Sequence, residues 1–346
     1  MSDGWSLADL VELQRHGCAL TSPLYGTVLA AVAEDLDRGG PCHQILAPHA
    51  GEPLGSALVL RLLGAVHRLV LAGRAPELAA HYPSAGGTPG SPEAVREAFT
   101  TTVARLAGEV AAGTDEAVQT NEVGRSAALV GGYLTVARLG LPLRVLEIGS
   151  SAGLNLRWDH FRYQADDWSF GDPDSPVCFT DAWRGTTPPL ATGCEVADRL
   201  GCDPNPIDPT TPAGAALLRS FVWPDQLDRL ARLDAAIEVA RRVPAEVHRS
   251  DGPAWLAKQL VEPEPGLTTV IVHSIVMQYL DHAARSRFSA TIDQAGARAT
   301  AAAPLAWLRL EPRDDRAELR LTLWPGGHEL LLATSGFHGP PVKWQA

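Results

Sequence analysis

Arg144-Val-Leu-Glu147-Ile-Gly149-Ser150-Ser151-Ala-Gly153-Leu-Asn155-Leu-Arg157 is the stretch whose reading decides the fold. Val145, Leu146 and Ile148 form a short apolar run, the mark of a strand buried on both faces of a parallel sheet. Glu147 stands near its carboxyl end. Small residues follow at 149–153, and Leu154, Leu156, Trp158 and Phe161 then read as a packed helix over 153–162. Strand, tight small turn, helix is how an α/β sheet presents backbone N–H groups to a ligand.

Downstream, apolar strand-like runs at 195–200, 245–250, 268–273 and 304–310 alternate with helical stretches at 213–220, 224–242, 253–260 and 281–296. That alternation predicts βαβ units and a mainly parallel sheet. Residues 319–323 and 330–333, separated by Pro325-Gly326-Gly327, predict a C-terminal antiparallel hairpin. Residues 164–193, rich in Asp, Pro, Gly and Thr, read as an irregular insertion.

Upstream, residues 1–140 read as helical throughout. Ser6, Ser22 and Ser56 precede apolar-periodic runs as candidate N-caps, with Pro23 and Pro92 at first helical positions. A further helix is predicted from about Glu122 to Leu139. The expected division is therefore 1–140, an all-helical region, and 141–346, an α/β domain.

Composition narrows the class. The 346 residues carry 29 basic and 40 acidic side chains, a net charge of −11, which disfavours a general nucleic-acid surface. Five cysteines without C-x-x-C spacing give neither a disulfide framework nor a zinc site, so no metal is expected. Residues 57–72 are apolar but carry Arg61, His67 and Arg68, which argues for a buried helix and not a membrane span. The N-terminus lacks the basic and apolar segments of a signal peptide, so a cytoplasmic protein is expected.

Glu147-Ile-Gly149-Ser-Ser151-Ala-Gly153 resembles the acid-x-Gly-x-Gly-x-Gly turn of class I methyltransferases, with Ser151 in the place of the middle glycine. The predicted sheet with a terminal hairpin resembles that family's Rossmann-like architecture. The resemblance implies S-adenosylmethionine as cofactor. Glu147, Gly149, Ser150, Ser151, Gly153 and Asn155 would hold its methionine part, Asp203 or Asp208 its ribose hydroxyls, and Asp251 its adenine amino group. Thr268-Thr-Val-Ile-Val-His273-Ser274 resembles the fourth strand of small-molecule methyltransferases. His273 would be the base and Ser274 its neighbour in the site. In the upstream region Asn121, Glu122 and Arg125, and downstream Tyr279, are candidates to meet a small-molecule acceptor. Asn121 has an alternative reading as a helix N-cap.

The same turn spells Gly149-x-Ser151-x-Gly153, the nucleophile elbow of serine hydrolases. Asp251 or Asp281 with His328 or His338 would complete that triad. A third reading is a methyltransferase-shaped protein that binds a ligand without turnover. The whole chain also resembles an uncharacterised bacterial family, the domain-of-unknown-function family numbered twenty-three thirty-two. The carrying stretches are RLLGAVHRLVLAG, VQTNEVGRSAAL, LEIGSSAGLNL, GCDPNPID, FVWPDQ, VHSIVMQYL, PLAWLRLEP and LTLWPGG.

Overall fold

The structure, a computed structural model, describes residues 5–19, 21–165 and 168–346. The reading of Met1–Gly4 and of Asp166–Asp167 in the insertion lies outside the described residues. Contacts divide the chain into two compact units, 1–120 with 211–231, and 121–210 with 232–346.

The first unit is helical: α1 (Leu7–Ala19), α2 (Pro23–Arg38), α3 (Pro41–Leu46), α4 (Leu58–Leu71), α5 (Pro76–Ala79), α6 (Pro92–Arg105) and α7 (Ala107–Thr114). A later helix, residues 212–220, counts with them. Ser22 caps α2 and Ser91 caps α6 with their side chains. Ser56 does not cap α4. It ends a preceding 3-10 turn, and Ala57 precedes the helix in the left-handed region with φ +50°. Residues 54–71 are long and apolar enough to cross a membrane, yet 56% of that window is buried inside the protein. Two of its polar side chains, His67 and Arg61, are satisfied there. His67 Nδ1 meets Ser220 O at 3.1 Å, and Arg61 Nε donates to Thr114 O at 2.6 Å.

The second unit opens with α8 (Ser126–Ala137) and β1 (Leu143–Ile148), the latter buried at every position. Next come β2 (Arg162–Ala165), β3 (Trp168–Phe170), β4 (Cys178–Thr180), β5 (Val196–Asp203), α9 (Pro212–Ser220, of the helical unit) and α10 (Leu227–Arg242). The chain ends with β6 (Glu246–Arg249), α11 (Gly252–Gln259), β7 (Thr268–Ser274), α12 (His282–Gly296), β8 (Leu305–Arg313), β9 (Arg316–Trp324), β10 (His328–Gly336) and β11 (Gly339–Trp344). One eight-stranded sheet runs β11-β10-β9-β8-β7-β1-β5-β6. The pairs from β6 through β8 are parallel and those from β8 through β11 antiparallel. All five predicted parallel strands form, within a few residues of the expected bounds. The expected hairpin is β9–β10, embedded in a four-stranded meander.

Two expectations are corrected. The insertion is not wholly irregular, because β3-β2-β4 make a small second sheet. Aromatic packing holds it: Tyr163 stacks on Phe179 at 5.3 Å, and Trp158 stacks on Phe170 at 5.8 Å. The helix expected over 153–162 is a 3-10 stretch, Leu154–His160, broken at Arg157 with φ −102°. The Arg157 guanidinium donates to Gly153 O at 2.6 Å and to Val243 O at 2.7 Å. Those bonds pull the segment under a tight turn instead of letting it run on as an α-helix.

Candidate functional site

The site is built where the parallel strand order reverses, at the carboxyl ends of β1 and β7. β1 pairs with β5 on one side and β7 on the other, and open α/β sheets bind ligands outside such a reversal. Leu146 and Ile148 pack with Trp255, Leu256 and Phe288. Strand alternation therefore turns Glu147 to the opposite face. There the residue is 4% exposed, and its Oε2 is buried without a hydrogen-bond partner. Burial pushes its carboxyl up to about 8, with the charges of Arg157 and Arg125 pulling the other way.

The turn after β1 is bound into the protein. The N–H groups of Gly149 and Ser150 both reach Cys202 O, at 2.9 and 3.1 Å. Ser151 takes φ +54°, a region costly to a residue with a Cβ, and donates its N–H to Asp203 Oδ2 at 2.9 Å. So Ser151 keeps the glycine-like conformation that the motif's middle position demands. Gly149 has φ +68°, and a Cβ there would lie 2.6 Å from a Val276 methyl, so a side chain covers it. Asp203 spends its second oxygen on Asn205 N at 2.8 Å.

A polar network brings together several predicted residues. Asn121 Oδ1 accepts from Leu154 N at 2.8 Å. Asn121 is thus an N-terminal acceptor, but for the 3-10 stretch after the turn and not for its own helix. Asn155 Nδ2 donates to Glu122 O at 3.2 Å, and Asn155 Oδ1 accepts from Ser126 Oγ at 2.8 Å. Glu122 accepts from Gly124 N and meets His338 Nδ1 at 3.1 Å. Arg125 donates to Ser274 O at 3.0 Å and to Phe337 O at 3.0 Å. Asn121, Glu122, Arg125, Asn155 and Ser274 therefore belong to one layer over the ends of β1 and β7. Asn121→Ala leaves the buried Leu154 amide without its acceptor, and an expected loss of about 1–2 kcal/mol is read by urea denaturation.

Other predicted residues lie elsewhere. Asp208 is exposed and accepts from Thr210 N and Oγ1. Asp251 caps α11 and Asp281 caps α12, so both candidate triad carboxylates serve helix ends. Tyr279 is 58% exposed on a one-turn 3-10 helix, Met277–Tyr279.

His273 requires a correction. It pairs in register with Ile148, which puts it on the face away from Glu147, against Phe288 and Trp307. It is fully buried. Its Nδ1 meets Glu311 Oε1 at 2.6 Å, and its Nε2 accepts from Trp307 Nε1 at 3.0 Å. Both ring nitrogens are occupied within the protein, on the face away from Glu147. Glu311, which nothing in the sequence reading singled out, also accepts from Val276 N at 3.0 Å and Met277 N at 3.4 Å. It thus fixes the loop after β7, where Ile275 has φ +57°, an outlier for a β-branched residue. Glu311→Ala is expected to cost about 3 kcal/mol and to speed proteolytic nicking within 275–280, read by limited digestion.

No curated protein and no solved structure matches the chain. A family model, described as an uncharacterized protein conserved in bacteria (DUF2332), matches residues 8–344. Spanning nearly the full length, that match shows that the chain belongs to this bacterial family.

Proposed function

We propose that the carboxyl ends of β1 and β7 bind S-adenosylmethionine, and that the protein is a methyltransferase for a small-molecule O or N acceptor. Glu147 carries the reading: a buried carboxyl with an unpartnered oxygen where the parallel strand order reverses. A group bearing an ammonium and a sulfonium would supply the cation that this oxygen lacks.

The fit is partial. The donors of the 149–151 turn are already used within the protein, so they do not fit the cofactor's carboxylate. The neighbouring cations are Arg157, held by Gly153 O and Val243 O, and Arg125, held against Ser274 and Phe337. The Asp203 oxygens each retain a second lone pair for ribose hydroxyls. S-adenosylmethionine would bring an electrophilic methyl group. The chain's own contribution is alignment and exclusion of water by the layer of Asn121, Asn155 and Arg125. With His273 sealed on the far face, no side-chain base is assigned.

The test is thermal denaturation and calorimetry with S-adenosylmethionine and with its demethylated product. Binding stabilises the fold by about 2.7 kcal/mol at a hundredfold excess over Kd. Folded protein that binds neither compound discards the proposal. The internal use of the turn amides favours a second reading, a ligand-binding protein of the same shape without turnover. Binding without methyl transfer to any acceptor assigns that one.

A further inference from the structure

A second cleft, of about 520 Å³, lies within the sheet-containing unit, beside the 149–153 turn. Its walls include Ala152 in the β1 turn, Arg157 in the 3-10 stretch after it, Pro206, Asp208 and Thr210 after β5, and Arg241 and Ala245 before β6. Prolines, alanines, Ile207 and Val247 line much of the rest, so the slot has a stiff apolar side beside an equally large polar one.

Arg157 is the unusual member. It is 3% exposed, yet no carboxylate is hydrogen-bonded to it among the described residues. Its Nε and Nη1 go to backbone carbonyls of Val243 and Gly153, and Nη2 has no hydrogen-bond partner among the described residues. Burial, aided by Arg199, lowers its basicity to about 10. A guanidinium fixed by two carbonyls and left with unused donors is pre-organised for an oxyanion. Arg241 lies on the rim, paired with Glu238 at the surface. Asp208 is the one carboxylate in the wall, and its bonds from Thr210 N and Oγ1 keep it ionised. Arg241 is answered by Glu238, and Arg157 feels the charges of Glu147 and Asp208, so what the cleft offers an anion is the hydrogen-bond donors of the Arg157 guanidinium and not a net positive charge.

We propose that this cleft binds a small molecule carrying one anionic oxygen group, a carboxylate or a phosphate, on an apolar body. The anionic group meets Arg157 Nη2, and the apolar body lies against Pro206, Ala245 and Val247. The proposal does not require S-adenosylmethionine at the ends of β1 and β7, although Arg157 also acts on the charge of Glu147 there.

Benzoate, phenyl phosphate and the neutral benzamide test it by calorimetry and by nuclear magnetic resonance line shifts on the intact chain. Benzoate or phenyl phosphate is expected to bind at least about tenfold tighter than benzamide, the margin of a charge-assisted bond. Whichever anion leads identifies the carboxylate or the phosphate as the natural group. Ala245→Trp fills the slot from the sheet edge and is expected to abolish binding. Arg157→Gln is expected to bring the anions down to the affinity of benzamide. Should Arg157→Gln fail to fold, Ala245→Trp decides. Equal affinity for benzamide and the anions, or anion binding unchanged in Ala245→Trp, overturns the proposal.

Discussion

Glu147→Gln is expected to abolish a loss of stability on the order of 4–5 kcal/mol that the native protein undergoes as pH rises from about 4.5 to about 8. In the unfolded chain this carboxyl ionises near 4.5, and in the folded protein near 8. The folded state therefore holds a proton that the unfolded state has released across that window. Below 4.5 both states are protonated and the contribution is complete. Each pH unit above that removes about 1.4 kcal/mol until the folded-state value is passed. Glutamine is a neutral isostere and removes this slope. Urea denaturation at about pH 5 and about pH 8 reads it: the advantage of Glu147→Gln over the native protein must grow with pH. Parallel stability curves would mean that the carboxyl is solvated or partnered.

Gly132→Val is expected to destabilise the sheet-containing unit by about 3 kcal/mol or more. α8 is buried at eleven of its twelve positions and lies on the strands of the meander. Gly131 and Gly132 permit that approach. A Cβ at 132 would come within 2.8 Å of Leu308 Cδ2, and one at 131 within 2.6 Å of Pro188 Cβ. Neither a packed helix nor the centre of a sheet can shift far, so overpacking here sits at the upper end of its usual cost. Gly108 in α7 is the control, because a Cβ there meets nothing within 4 Å. Gly108→Ala is expected to stabilise by up to about 1 kcal/mol through helix propensity alone. Thermal or urea unfolding of both variants checks the opposite signs.

The strands were legible because buried parallel strands are written as apolar runs, as at 144–148 and 268–273. Their faces were not. Whether His273 shares a face with Glu147 depends on the register between β7 and β1, and pairing Ile148 with His273 put the two on opposite sides. Asn121 showed its capping chemistry in sequence, but its recipient, Leu154, is 33 residues away. Glu311 looked like an ordinary strand carboxylate in PLAWLRLEP. Only the parallel pairing of β7 with β8 brings it to His273 and to the loop after β7. The insertion hid a sheet because its strands are three or four residues long and are held by aromatic stacking, which leaves no periodic signal. A serine in the middle glycine's place suggested a different turn, yet Ser151 takes the positive φ, and the turn's amides are satisfied by Cys202 and Asp203, partners more than 50 residues downstream.

Calorimetric titration with S-adenosylmethionine at about pH 7, repeated in two buffers of different ionisation enthalpy, tests the role given to Glu147 most directly. The carboxyl is mostly protonated before binding, so a cation placed beside it must expel a proton. The apparent heat should differ between buffers by close to one proton per site, and Glu147→Gln should bind more weakly with no such difference. Tight binding with identical heats in both buffers, or Glu147→Gln indistinguishable from the native protein, would contradict the account.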